Sequence, residues 1–169
     1  MRIEYIGLVL AVALLGACTL SARGDETVVI LVRHADRIEG TDALTPAGKA
    51  RGEELVHVLE KAGLTAIVHS DAARAAQTAA PVVAATKLVP VALPGGNTEA
   101  FAREILGKHA GGTVLVVGHS NTVPKIVAAL GGPELPDIDG AEFDTLLVLT
   151  LGAGRAPRLT SLQYGKASP

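Results

Sequence analysis

Two apolar runs limit the folds open to this chain. Thr27-Val28-Val29-Ile30-Leu31-Val32 and Thr113-Val114-Leu115-Val116-Val117 lack the alternation that a strand with one wet face would show. Both read as strands covered on two faces, which calls for helices above and below a mostly parallel sheet. Ala66–Ser70, Leu88–Leu93, Thr145–Leu151 and Leu159–Tyr164 read as four further strands. Only Gly152-Ala153-Gly154-Arg155-Ala156-Pro157 joins the last two, so they are expected to pair antiparallel as a hairpin. The fold class expected is α/β, a three-layer α/β/α sandwich whose mostly parallel sheet has an antiparallel end.

Helix signals fill the gaps. Thr45 followed by Pro46 predicts an N-cap with proline in the first turn, Leu55, Val58 and Leu59 supply an apolar stripe, and Gly63 ends the helix. Ala72 to Thr86 reads as a second helix that Pro81 should kink or break. Glu99 to His109 is a third, closed by Gly111-Gly112, and Asn121 to Leu130 a fourth, closed by Gly131-Gly132, with Ser120 and Asn121 as its expected caps. At 169 residues the chain suits one domain. Hydrophobic residues make up 49% but aromatics only 2%, so the core must be built from Ala, Val and Leu. A net charge of -2 gives no overall electrostatic case for a nucleic-acid partner.

The first residues read as a targeting segment. Arg2 precedes a short apolar stretch, Ile6 to Leu15, too brief to favour spanning a bilayer. Leu15-Gly16-Ala17-Cys18 resembles the lipobox of bacterial lipoproteins. That resemblance implies a signal peptide over 1–17, a lipid on Cys18, a tether over 18–26 and a domain over 27–169, held at a membrane in the periplasm or cell envelope. With a single cysteine, no intramolecular disulfide can form.

Both defining strands end in a histidine. Arg33-His34 follows the first and Gly118-His119 the second. In open α/β sheets ligands bind beyond the carboxyl ends of the strands, so two histidines delivered there suggest one shared pocket. Two more stretches accompany them, Ser70-Asp71-Ala72-Ala73-Arg74-Ala75-Ala76-Gln77-Thr78-Ala79 and Leu44-Thr45-Pro46-Ala47-Gly48. Taken in their order along the chain, the four resemble the histidine phosphatase superfamily, whose fold is phosphoglycerate mutase-like, and the likeness spans nearly the whole mature chain.

A transferring phosphoryl group spreads negative charge over its equatorial oxygens. Planar arginine forks suit it, and an imidazole with a bare nitrogen can attack phosphorus. The resemblance implies that His34 is the nucleophile and that Arg33, Arg74 and His119 bind phosphate, with His119, if protonated, a third cationic donor. The departing group needs a proton. Family members place a carboxylic acid after the third strand, which points to Glu99; Asp36 is the alternative, and Glu104 lies too far along its helix. His69, His57 and His109 read as structural or solvated, Asp71 and Thr78 as capping or packing residues, and Arg37 as a solvated charge. A metal site made of His34, Asp36 and His119 is disfavoured by two adjacent guanidinium groups, so no metal and no cofactor is expected.

Few residues are free to close over such a pocket: only Arg37 to Ala43, and Pro94 to Thr98. An open site admits water, and hydrolysis of the phosphoenzyme follows. The expected activity is that of a histidine acid phosphatase-type hydrolase of a small phosphorylated substrate, working through a phosphohistidine on His34. The alternatives are a lipoprotein that binds a phosphorylated ligand without turnover, a mutase-type phosphotransferase, and an envelope scaffold with a retired site.

Overall fold

The computed structural model describes residues 26–168. The expected signal segment, Cys18 and all but the last residue of the expected tether lie outside that range. That last residue, Glu26, is not tether but the exposed start of β1.

Ten elements follow one another as β1 (Glu26–Arg33), α1 (Pro46–Leu59), β2 (Ala66–Ser70), α2 (Ala73–Thr86), β3 (Val91–Leu93), α3 (Thr98–Lys108), β4 (Thr113–Gly118), α4 (Val123–Ala129), β5 (Thr145–Gly152) and β6 (Arg158–Gln163). They form one six-stranded sheet in the order β3-β2-β4-β1-β5-β6. β1, β2, β3 and β4 run parallel, while β5 pairs antiparallel with β1 and β6 antiparallel with β5. The sandwich and its antiparallel end are as the apolar runs require.

Successive side chains of a strand point to opposite faces. Val29 and Leu31 of β1, with Val114 and Val116 of β4, pack against Phe101 and Ile105 of α3 and Ile126 of α4. Ile30 and Val32, with Leu115 and Val117, pack on the other face against Leu55 and Leu59 of α1 and Val82 of α2. Each of the two runs therefore feeds two cores at once, and neither face of the central strands is wet.

Three expectations are corrected. Pro81 does not break α2, which runs through to Thr86. Its ring faces Gly52 of α1, where a Cβ would meet the Thr78 carbonyl at 3.3 Å and the proline Cγ at 3.5 Å, so helix–helix packing holds the turn that the missing N–H weakens. β3 begins at Val91 rather than Leu88, because α2 ends with Lys87 in the left-handed region at φ 62° and Pro90 has no N–H for a ladder. α4 starts at Val123, with Thr122 and not Ser120 or Asn121 at its N-cap. Pro124 fits the first turn, where its missing N–H costs nothing.

Candidate active site

β1 and β4 are neighbours, and their register pairs Arg33 with Gly118. Arg33 and His34 on one strand end and His119 on the next are thus delivered to one point of the sheet's carboxyl edge. The His34 and His119 rings lie edge to face, with centroids 5.4 Å apart. Arg33 and His34 are buried, at 6% and 3% exposure. The His34 N–H donates to the Gly118 carbonyl at 2.8 Å, and the neighbouring Ala35 N–H donates to Thr78 Oγ1 at 2.9 Å. Thr78 in turn donates to the Arg74 carbonyl at 2.8 Å. The end of β1 is therefore stapled both to β4 and to α2.

His34 Nδ1 lies 2.9 Å from the Ala35 carbonyl oxygen. A carbonyl only accepts, so Nδ1 carries the hydrogen and Nε2 is left with its lone pair. Burial, with Arg74, Arg33 and His119 nearby, lowers the His34 pKa to about 4. The ring is neutral near neutral pH, which is the state a nucleophilic nitrogen requires.

The two arginines are held differently. Arg33 Nη1 donates to three backbone carbonyls of the segment before β5: Asp139 at 2.8 Å, Gly140 at 3.0 Å and Glu142 at 2.8 Å. Its guanidinium also stacks 4.0 Å above the Phe143 ring centroid. Arg74, just inside α2, pairs through Nη1 with Asp42 Oδ1 at 2.6 Å, and its Nη2 meets His119 Nδ1 at 3.1 Å. Among the described residues, Arg33 Nε and Arg74 Nε are buried and donate to no protein acceptor. Buried N–H groups are nearly always paired, so two such guanidinium donors mark a place suited to an anion.

His119 is not the third cation. Arginine has no acceptor, so His119 Nδ1 accepts from Arg74, and the ring proton sits on Nε2. Burial, followed by the Arg74 charge, lowers its pKa. His119 therefore serves as a neutral N–H donor. Its own backbone N–H donates to Thr122 Oγ1 at 3.0 Å, which sets the ring's exit from β4. Beside Nε2 lies the β3–α3 loop, where a Cβ on Gly95 would come within 2.9 Å of that nitrogen.

The structure does not bring either expected proton donor into this cluster. Glu99 is exposed in the first turn of α3. Its carboxylate accepts from Thr98 Oγ1 at 3.4 Å and lines an outer groove with Ala102, Arg103, Leu106 and Ala129. Asp36 turns away to the other side, where Oδ2 accepts from buried Arg51 Nε at 2.7 Å. Glu104 pairs with Lys108 at 2.9 Å. Asp42 is the residue that sequence reasoning missed. The available signal was Ala72, an N-cap position without a side-chain acceptor, which leaves α2 to find its cap elsewhere. His69 is buried, with Nδ1 on the Ser70 carbonyl at 2.8 Å, a structural placement.

Residues 29–95 match the family model of the histidine phosphatase superfamily, branch 1. No curated protein matches the chain. Among solved structures, the protein histidine phosphatase SixA complexed with tungstate is 20% identical at a TM-score of 0.65, covering 80% of this chain and 96% of that one. A phosphoglycerate mutase from Plasmodium falciparum is 19% identical at 0.60, covering 86% and 94%. A mycobacterial glucosyl-3-phosphoglycerate phosphatase complexed with VO3 is 18% identical at 0.65, covering 82% and 99%. At these identities the likeness is one of fold.

Proposed function

We propose that this chain, whose residues 29–95 match the histidine phosphatase superfamily model, is a member of that superfamily and a phosphatase that hydrolyses small phosphoryl compounds through a phosphohistidine on His34. One observation carries the reading: His34 Nε2 has a bare lone pair, the Arg74 and Arg33 charges act on its ring, and each of those guanidinium groups keeps a buried Nε–H that no protein atom accepts. In the first step Nε2 bonds to phosphorus, and the bond from phosphorus to the leaving group breaks with its electrons on that group. Arg33, Arg74 and the His119 Nε2–H stabilise charge on the phosphoryl oxygens. In the second step water attacks the phosphohistidine, and the P–N bond breaks to give inorganic phosphate and neutral His34.

The substrate class follows from what borders the nucleophile. With Glu99 and Asp36 both engaged elsewhere, no carboxylic acid named by the sequence stands ready to protonate a poor leaving group. Substrates whose leaving group departs readily are favoured: aryl phosphates, acyl phosphates and phosphoramidates. Phosphohistidine borne on another protein belongs to that last group, and SixA's own name points to it. Hydrolysis is favoured over mutase transfer because the Arg37 to Ala43 turn is braced within itself and tied through Asp42 to α2, which leaves it little freedom to close further over the site.

Phosphate release from aryl phosphates, acetyl phosphate and phosphohistidine peptides tests this directly. His34→Ala should lower release about a thousandfold or more. The wild type should trap a radiolabelled phosphoenzyme that is labile to acid and stable to base. Phosphate binding without release would favour the ligand-binding reading. We further infer envelope anchoring through Cys18, checked by incorporation of labelled fatty acid that Cys18→Ser abolishes.

A further inference from the structure

Asp42 projects from the turn between β1 and α1 into the N-terminus of α2. Its Oδ2 accepts from the Ala73 N–H at 2.7 Å, and its Oδ1 from the Arg74 N–H at 3.3 Å and from Arg74 Nη1 at 2.6 Å. These hydrogen bonds hold the carboxyl group well below its usual pKa, so it stays ionised. The turn that carries it is braced. Ile38 N–H donates to the Ala43 carbonyl at 2.9 Å, Thr41 Oγ1 donates to the Ile38 carbonyl and accepts from Ala43 N–H, and Leu44 N–H donates to Gln77 Oε1 of α2. Gly40 supplies the left-handed residue at φ 70° that such a tight turn needs.

A guanidinium is planar and rigid, so fixing two of its nitrogens fixes the third. Asp42 grips Nη1, Nη2 then lies on His119 Nδ1, and Nε is left as the orphan donor. We propose that Asp42 is a positioning residue that aims Arg74 at the phosphoryl site and, through Arg74 Nη2, keeps the His119 proton on Nε2. Without the carboxylate, Arg74 is free to turn and His119 Nδ1 loses its donor. Both neutral tautomers of His119 then become populated. The one protonated at Nδ1 presents a lone pair where a phosphoryl oxygen needs a hydrogen.

The kinetic side of this inference rests on the phosphatase reading, whereas the tautomer does not. Asp42→Ala and Asp42→Glu are therefore read two ways in the full chain. In nitrogen-15 spectra of the histidine rings, the wild type should show His119 protonated at Nε2 alone, and Asp42→Ala should show a mixture. The Nδ1-protonated pattern of His34, held by the Ala35 carbonyl, stays unchanged and reports that the site is folded. In turnover of an aryl phosphate, Asp42→Ala should lose about tenfold or more in kcat/KM, and Asp42→Glu, which keeps the carboxylate, should recover most of it. A single Nε2-protonated His119 in Asp42→Ala overturns the proposal, and so does kcat/KM within about twofold of an active wild type. A changed tautomer in a protein that releases no phosphate even as wild type would leave the positioning role standing and end the phosphatase reading.

Discussion

Arg51 Nε and Asp36 Oδ2 form a 2.7 Å ion pair on the flank of the active site, with the arginine side chain 5% exposed. Arg51 Nη1 also donates to the Tyr164 and Lys166 carbonyls, at 3.2 and 2.8 Å. One cation thus fastens the segment just after His34 to the chain beyond β6. The Tyr164–Ser168 stretch is tied in turn to the loop that holds Arg33, since Ser168 N–H donates to Asp144 Oδ2 and Phe143 N–H donates to Ser168 Oγ.

Removing that cation leaves a partly buried carboxylate and two carbonyls without their donor. Breaking a buried pair from one side costs about 3 kcal/mol or more. Arg51→Met should therefore lower the stability measured by urea unfolding by about that amount, with kcat/KM at low temperature reduced far less than in His34→Ala. A loss under about 1 kcal/mol would show the pair to be dispensable.

The pH dependence turns on His34. Its native pKa is lowered from 6.5 to about 4, chiefly by burial, so between those values the unfolded chain binds a proton that the native chain refuses. The sign follows: stability falls as pH drops through that window, and above 6.5 this residue contributes no slope. The full difference is about 3 kcal/mol at 1.36 kcal/mol per unit. Denaturant titrations at several pH values should show this slope in the wild type and a shallower one in His34→Gln. The acid limb of kcat/KM should likewise fall near pH 4, because His34, the proposed nucleophile, stays neutral down to there. An acid limb centred near 6.5 would mean that the imidazole is solvated.

Glu99 makes a separate case. It is exposed, and its carboxylate contacts Thr98. Glu99→Gln should change kcat/KM by less than about twofold on both good and poor leaving groups, as surface substitutions usually do. Activity across a series of aryl phosphates should fall steeply as the leaving group becomes more basic, because Glu99 and Asp36, the two expected acids, are both engaged elsewhere. A Glu99→Gln loss confined to poor leaving groups would restore Glu99 as the acid.

What was legible in the chain, and what was not, follows from how far apart the deciding residues lie. β1, β2 and β4 could be read almost to the residue, because burial on both faces writes a continuous apolar run with a polar stop. That His34, His119, Arg33 and Arg74 come to the same sheet edge was legible for the same reason, since each sits where a strand ends or the next helix starts. Glu99 misled because a helix's first turn can present a residue outward as easily as inward, and sequence distance from Arg74 does not settle the phase. Asp42 was hidden because its meaning lies 32 residues away, in the bond to Arg74. Protonation of His119 was left open in the sequence because it depends on which partner faces Nδ1, a fact of packing and not of composition.

Gly95 gives the most direct probe of the room beside His119. A Cβ there would sit 2.9 Å from His119 Nε2 and 3.2 Å from Ser70 Cβ, closer than carbon approaches nitrogen without displacement. The loop cannot easily retreat, because Gly95 N–H donates to Asp71 Oδ1 at 3.1 Å and Asp71 N–H donates to the Leu93 carbonyl at 2.9 Å. The His119 ring must therefore move, and a displacement of that order at a donor costs roughly tenfold to a hundredfold in rate. Gly95→Ala should lower kcat/KM by that factor with little change in thermal midpoint, and Gly96→Ala, where a Cβ meets nothing within 4 Å, should leave the rate near wild type. Equal rates in the two variants would place the transferring phosphoryl group away from His119 Nε2.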